Sequence, residues 1–206
     1  MLGMGVRERR DRERLGMRRA ILGAAREIAA QEGWQAVTIR RVAEKIEYSP
    51  PTIYEYFESK EAILEEEMHE GFRLLLSGLK AAREAHPAPE DQFRAMGGAY
   101  WDFVWKHPEL YQVISGLGGV NFCEPDRPHD EGKQVYGLFC EVLQSTLSPE
   151  GQPVQGLEDK VMALWSLMHG FIALIMAGRI PLEQRDQARE IALQAAADLL
   201  RAWRPA

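Results

Sequence analysis

The run VTIRRVAEKIEYSPPTIYEYFESKEAIL, Val37 to Leu64, contains three helix starts in close succession. Thr38 is a good N-cap, and Ile39, Val42, Ala43 and Ile46 follow at the i, i+3, i+4, i+7 spacing of one buried helix face. Arg40, Arg41 and Lys45 are left on the outer side. After a short Glu47-Tyr48 turn, Ser49 caps a third helix. Pro50 occupies its first position, where a missing N–H costs nothing, and Pro51 follows while the donors are still unpaired. Ile53 and Phe57 point inward, leaving Pro50, Pro51, Thr52, Tyr54 and Glu55 outside. This helix is predicted to end near Phe57, and Ser59 then caps a long fourth helix from about Lys60 to Glu84.

A first helix, from about Arg10 to Gln31, carries Leu15, Ile21, Leu22, Ala25, Ile28 and Ala29 on one stripe and stops at Gly33. Three helices in this order, the last two joined by a tight turn, describe a helix-turn-helix. The geometry asks for a short, anchored third helix whose N-terminal half enters a major groove. Thr52 offers a methyl and a hydroxyl to base edges, and Tyr54 and Tyr56 carry hydroxyls that reach phosphates. Lys60, beside the start of the next helix, adds a second anion site. The plainer alternative makes the two tyrosines packing groups.

Charge is distributed unevenly. Residues 1–60 hold 12 Lys+Arg against 9 Asp+Glu (net +3) and residues 61–206 hold 13 against 22 (net −9), which together give the overall −6. Arg7, Arg9, Arg10, Arg12, Arg14, Arg18 and Arg19 all precede position 20. A basic arm over residues 1–14 ahead of an acidic body suits a phosphate-contacting module joined to a partner domain that does not bind DNA. A solvated helix start, with Glu8, Asp11 and Glu13 interleaved, is the alternative.

The same 28 residues, their TIYEYFESKEAIL portion above all, closely resemble the DNA-binding domain of the TetR family of bacterial transcriptional regulators, over roughly the first 65 residues. The resemblance implies that Thr52, Tyr54, Tyr56 and Lys60 touch DNA, with Thr38 and Arg40 near its backbone; Arg41, Ser49, Pro50 and Pro51 complete the candidate DNA face. Two departures stand out. Glu47 occupies a turn position often held by Gly, where a left-handed backbone is strained, and Pro50 and Pro51 replace a small or basic residue and a Gly. Further on, WKHPELYQVI (Trp105–Ile114) and WSLMHGFIAL (Trp165–Leu174) resemble a regulatory-domain subgroup marked by a Trp…His-Gly signature.

The rest of the chain also reads as helices, at about 90–106, 108–115, 132–147, 157–177 and 182–203, with Gly- and Pro-rich loops over 116–131 and 148–156. The fold class is all-α: a helix-turn-helix head over 15–62 and a ligand-binding and dimerisation domain over 63–206. Val161 to Gly178 holds no charge, long enough to raise a membrane span, but Ser166, His169 and two glycines favour a helix buried in a soluble assembly. The chain starts MLGMGVRERRDRER without an apolar leader region, and Cys123 and Cys140 read as reduced, buried thiols. The histidines are scattered, with Glu65 and His69 the one metal-like pair, and no catalytic motif appears. Neither metal nor cofactor nor enzymatic activity is expected.

Two seams of small residues mark a candidate homodimer interface: Ser166, Gly170, Ala173 and Ala177 on one helix, and Ala192, Ala195, Ala196, Leu199 and Ala202 on the last. The alternative is an ordinary intrachain contact. The helix from Glu90 has a wide apolar arc, which with residues from other helices predicts a cavity for a small-molecule effector: Phe72, Met96, Tyr100, Trp101, Trp105, Tyr111, Phe139, Trp165 and His169. A plain aromatic core is the alternative. The expected protein is a cytoplasmic homodimeric repressor that binds a palindromic double-stranded operator and dissociates when a largely apolar effector alters the spacing of its reading heads. An activator, or a small-molecule-binding protein with a vestigial head, stays open.

Overall fold

Gly33 ends the first helix at φ 82°, a backbone region that disfavours side chains, and its N–H closes on the Ala29 carbonyl at 2.8 Å. The computed structural model describes residues 2–120, 130–148 and 150–204. Its described α-helices are α1 (Leu2–Glu32), α2 (Ile39–Lys45), α3 (Pro50–Tyr54), α4 (Lys60–Glu84) and α5 (Pro89–Lys106), then α6 (Pro108–Ser115), α7 (Asp130–Leu147), α8 (Leu157–Met176) and α9 (Arg185–Trp203). No strand occurs among the described residues. Most of the predicted loop 116–131, with Cys123, lies outside them; Cys140 is half-buried and free rather than fully buried.

Two boundaries differ from the sequence expectation. α1 begins at Leu2 rather than near Arg10, so the basic arm is no separate segment but the solvated start of one helix. Its interleaved Arg and Glu residues are good helix formers, and Arg9 pairs with Glu13 at 3.6 Å one turn on. α3 stops at Tyr54 because the Tyr56 and Phe57 N–H groups both turn back to the Ile53 carbonyl, at 2.9 and 3.0 Å.

The chain packs as two units. Residues up to Gly71 and the described residues from Pro108 to Val120 form the first; Phe72–His107 and the described residues from Asp130 on form the second. Packing therefore divides the chain inside α4 and returns α6 to the first unit, whereas the sequence motif ends near residue 62. The reason is local. Trp34, 1% exposed, donates its indole N–H to the Glu109 carbonyl at 2.9 Å. Gly71 lets α6 approach so closely that a Cβ there would stand 2.9 Å from Ile114 Cγ2. Ile21, Ala25 and Ile28 of α1, Val42 and Ala43 of α2, Ile53 of α3 and Leu110 of α6 fill this unit's core.

In the second unit Leu143, Leu147, Val161, Leu164, Ala196 and Leu200 form one buried cluster. α5 is covered on several sides, as its wide apolar arc requires: Met96, Tyr100, Trp101, Phe103 and Val104 are all buried. α8 buries Val161, Leu164, Met168, Ile172 and Ile175 but leaves Met162, Trp165 and Leu174 about half exposed or more. By length and composition α8 qualifies as a membrane-crossing helix, with 28% of that apolar stretch buried in the chain.

Candidate nucleic-acid interface

Thr38 caps α2 as predicted, its Oγ1 accepting the Arg41 N–H at 3.2 Å. Tyr48 N–H then returns to the Ala43 carbonyl at 2.9 Å, a closure that forces Glu47 to φ 61°. Among the described residues Glu47 is the one non-glycine with positive φ, so the strain expected at this turn is present.

Ser49 does not cap α3 with its side chain. Its backbone is extended, but its hydroxyl lies 3.0 Å from Thr52 Oγ1, while the Thr52 N–H bonds the Ser49 carbonyl. Pro51 removes the N2 donor and the Ser49 carbonyl takes the N3 donor, the Thr52 N–H, so the Ser49 hydroxyl is left to Thr52 Oγ1. Both hydroxyls keep hydrogen-bonding capacity for base edges. Pro50, Pro51 and Tyr54 stand exposed beside them, Tyr54 with 56% of its surface in solvent. Tyr48, in the turn before α3, is similarly exposed at 50%, beyond the residues that the sequence pattern singles out; a large aromatic in a tight turn is the signal for it.

The basic candidates divide. Arg40 is exposed and is bound to Glu44 one turn on, at 2.8 Å. Arg41 is committed to the protein: it chelates the Glu32 carboxylate and donates to the Ala36 carbonyl at 3.1 Å. That bond holds the Glu32 carboxyl below its usual range. Lys60 does not present a free ammonium either; Nζ donates to the Trp34 carbonyl at 2.7 Å, and burial lowers its pKa. Tyr56 is half-buried, and its carbonyl accepts a hydrogen bond from Arg18 at 2.9 Å. Arg18, in sequence one of the seven arginines before position 20, also pairs with Glu66 at 2.6 Å and lies over the Phe57 ring at 4.3 Å. It ties α1 both to the turn that ends α3 and to α4. Sequence spacing carries no signal for a contact across 38 or 48 residues.

Among the candidate ligand residues, Met96, Tyr100 and Trp101 are buried in the second unit, and Tyr100 meets Phe139 edge-on at 6.5 Å. Trp105 lies 6.0 Å from Trp101 between ring centroids, and half-buried Phe72 packs against Gly132. Two expectations are corrected. Tyr111 belongs to the core of the first unit, because α6 packs there. Trp165 is 52% exposed on the outer side of α8, its ring tilted against that of His169 with centroids 5.4 Å apart, so it is not part of a buried cavity lining among the described residues. Burial lowers the His169 pKa.

The α8 seam stands out from the chain: Ser166 and Ala177 are exposed, Gly170 and Ala173 half-buried. The α9 seam splits. Ala192 and Ala196 are buried, together with Ala188 and Leu200, on the face that packs into their own unit, and Leu199 packs beside that cluster. Ala192 and Ala196 are intrachain contacts rather than interface residues. Ala202 is exposed and Ala195 half-buried.

Residues 21–66 match the description "Bacterial regulatory proteins, tetR family", and residues 93–199 match "Tetracyclin repressor-like, C-terminal domain". The chain is 26% identical over 166 residues to an uncharacterised HTH-type transcriptional regulator of Mycobacterium tuberculosis, covering 78% of this chain and 71% of the relative. Its fold resembles that of a putative TetR-family transcriptional regulator from Syntrophomonas wolfei, with TM-score 0.72, 13% identity, and 92% and 96% of the two chains covered. It also resembles a transcriptional regulator FadR from Bacillus subtilis solved in complex with stearoyl-CoA, with TM-score 0.64, 12% identity, and 84% and 96% covered.

Proposed function

Because the chain belongs to the TetR family of bacterial regulatory proteins, and so is a DNA-binding transcriptional regulator, we propose that it acts as a homodimeric repressor released from its operator by a small, largely apolar effector. The observation that carries this reading is the pairing of a solvent-facing α3, with Ser49, Thr52 and Tyr54 at its surface, with an α8 that holds no charge from Val161 on and whose outer face is apolar and open. An exposed apolar face of this kind marks an interaction site. Met162, Ser166, Gly170, Ala173 and Ala177 fall within one arc of α8, and Ile191, Ala195 and Ala202 supply the neighbouring face of α9. Two copies joined through both helices bury these faces as a four-helix bundle and place two α3 helices on one palindrome.

Effector binding belongs to the second unit, whose buried Met96, Tyr100 and Trp101 supply apolar contact. The stearoyl-CoA held by a neighbour of the same fold is in keeping with an apolar effector. The signal to α3 travels along α4, whose chain is continuous from one unit into the other. A protein with this role works in the cytoplasm, without metal or cofactor.

The test is fluorescence anisotropy of a labelled duplex from the gene's own upstream region, at near-physiological salt with excess random DNA. Competitor-resistant binding at nanomolar protein supports an operator-reading dimer. Binding that vanishes for every genomic fragment selected supports the vestigial-head reading instead. In a reconstituted transcription assay, higher output on adding protein identifies an activator.

A further inference from the structure

A group of buried N–H donors that meet no acceptor among the described residues lies along the α5–α9 seam of the second unit. On α5, the Trp101 and Trp105 rings are 6.0 Å apart, and both indole N–H groups are buried with no hydrogen-bond partner. Trp101 is 1% exposed. On α9, Arg185 lies over the Trp105 ring at 5.6 Å. Arg189, one turn on, crosses α5 at Gly98, where a Cβ would stand 2.9 Å from its guanidinium. The Arg189 Nε is likewise buried and unpaired, while its NH2 group reaches the Asp102 carboxylate only at 3.5 Å. Asp186, largely exposed, lies 3.4 Å from Arg185 Nε.

Unpaired buried donors are rare in native folds, and three in one seam ask for a common explanation. All three donate, so the complementary group is an acceptor. Among common acceptors a carboxylate suits them best, since it takes several N–H bonds at once and gains from nearby guanidiniums. Arg185 and Arg189 stand in the first turns of α9, at the positive end of its dipole, where cations are otherwise disfavoured. That end of the helix remains favourable for an anion although Asp102 and Asp186 offset part of the charge.

We propose that this seam is the head-group site of the effector: Trp101, Trp105 and Arg189 donate to the carboxylate of an apolar acid, and Arg185 balances its charge. The assignment rests on the reading of the second unit as the effector domain, and it names the effector's chemical class.

The test is calorimetric titration of the full-length protein with octanoate and 4-phenylbutanoate, each against its neutral counterpart, octan-1-ol and 4-phenylbutan-1-ol. At least tenfold tighter binding of the acids is expected. The preference should shrink toward unity in Arg189→Met, in Trp105→Phe, which keeps a ring but loses the donor, and in Gly98→Ala, which displaces the guanidinium. Circular dichroism selects the variants that fold, and the acid-to-alcohol ratio of the unaltered protein decides the matter if none does. Equal binding of acids and alcohols, or acid preference surviving in a folded Arg189→Met, overturns the head-group site while leaving an apolar effector in place. No binding of either acid overturns it too. Acid-selective binding that leaves operator anisotropy unchanged supports the site and removes the effector reading instead.

Discussion

Arg18 reaches the carbonyl oxygen of Tyr56 at 2.9 Å, and so fixes the turn that ends α3 to a residue of α1 lying 38 positions earlier. The same guanidinium bonds Glu66 of α4 at 2.6 Å and covers the Phe57 ring. Arg18→Met removes all three contacts while keeping the aliphatic stem. Partly solvated charged bonds of this kind contribute about 1–2 kcal/mol together. Operator affinity is expected to fall about tenfold, the equivalent of 1.4 kcal/mol, with a smaller loss in Arg18→Lys. Unchanged anisotropy midpoints in a folded Arg18→Met would remove it as a positioning residue.

Salt dependence separates free cations from committed ones. Arg40 is exposed, and its Glu44 partner can yield it to a phosphate. Arg40→Gln is expected to lower the slope of log affinity against log salt by about 0.9, the loss of one phosphate contact. Lys60 is bonded to the Trp34 carbonyl, so Lys60→Gln should leave the slope alone and lower the unfolding midpoint instead. The reverse pattern would put Lys60 on the DNA.

Two substitutions distinguish the inner from the outer face of the second unit. A Cβ at Gly170 meets nothing within 4 Å in the chain, so Gly170→Leu should leave the monomer fold intact and weaken dimerisation in sedimentation. Ala192 is fully buried, and Ala192→Leu is expected to destabilise folding by about 1–3 kcal/mol through overpacking. A Gly170→Leu dimer as tight as the original would place the interface elsewhere.

Glu67 of α4 is buried against Arg26, and its pKa is raised to about 7, burial outweighing the pull of the arginine. Its proton is held more tightly in the folded state than in the unfolded one. Its contribution is therefore fully present below about pH 4.5 and is lost as pH rises toward 7, by roughly 1–3 kcal/mol. Urea titrations across this window should show the decline, and Glu67→Gln should flatten it. A parallel pH profile in Glu67→Gln would assign the decline to other groups.

Glu47→Gly should stabilise the head. A left-handed conformation costs an ordinary residue about 1–2 kcal/mol, part of which glycine returns as unfolded-state entropy, leaving a net gain of about 0.5–1 kcal/mol. If urea midpoints fall instead, the Glu47 side chain contributes more than its backbone strain removes.

The run from Val37 to Leu64 made the head legible because its information is local. Caps at Thr38 and Ser59, prolines at the start of α3 and an i, i+4 apolar pair each act within one or two helical turns, and the backbone follows them. The second half was legible as helices for the same reason. Which side of each helix meets protein was not, because small and apolar residues occupy both sides of α8 and α9. Ala192 and Gly170 look alike on a helical wheel, and only packing turned one inward and left the other open.

The sequence by itself thus determined the all-α class, the helix-turn-helix and the strained turn at Glu47, since these depend on hydrogen bonds and periodicities among neighbours. Tertiary structure alone decided that Arg41 and Lys60 are spent on Glu32 and the Trp34 carbonyl, and that Arg18 anchors the turn that ends α3. It also placed α6 with the head and brought Arg189 to the two tryptophans' helix. Those pairings join residues 9 to 91 positions apart, and a charged side chain finds such a partner only once burial of the apolar faces has brought the helices together.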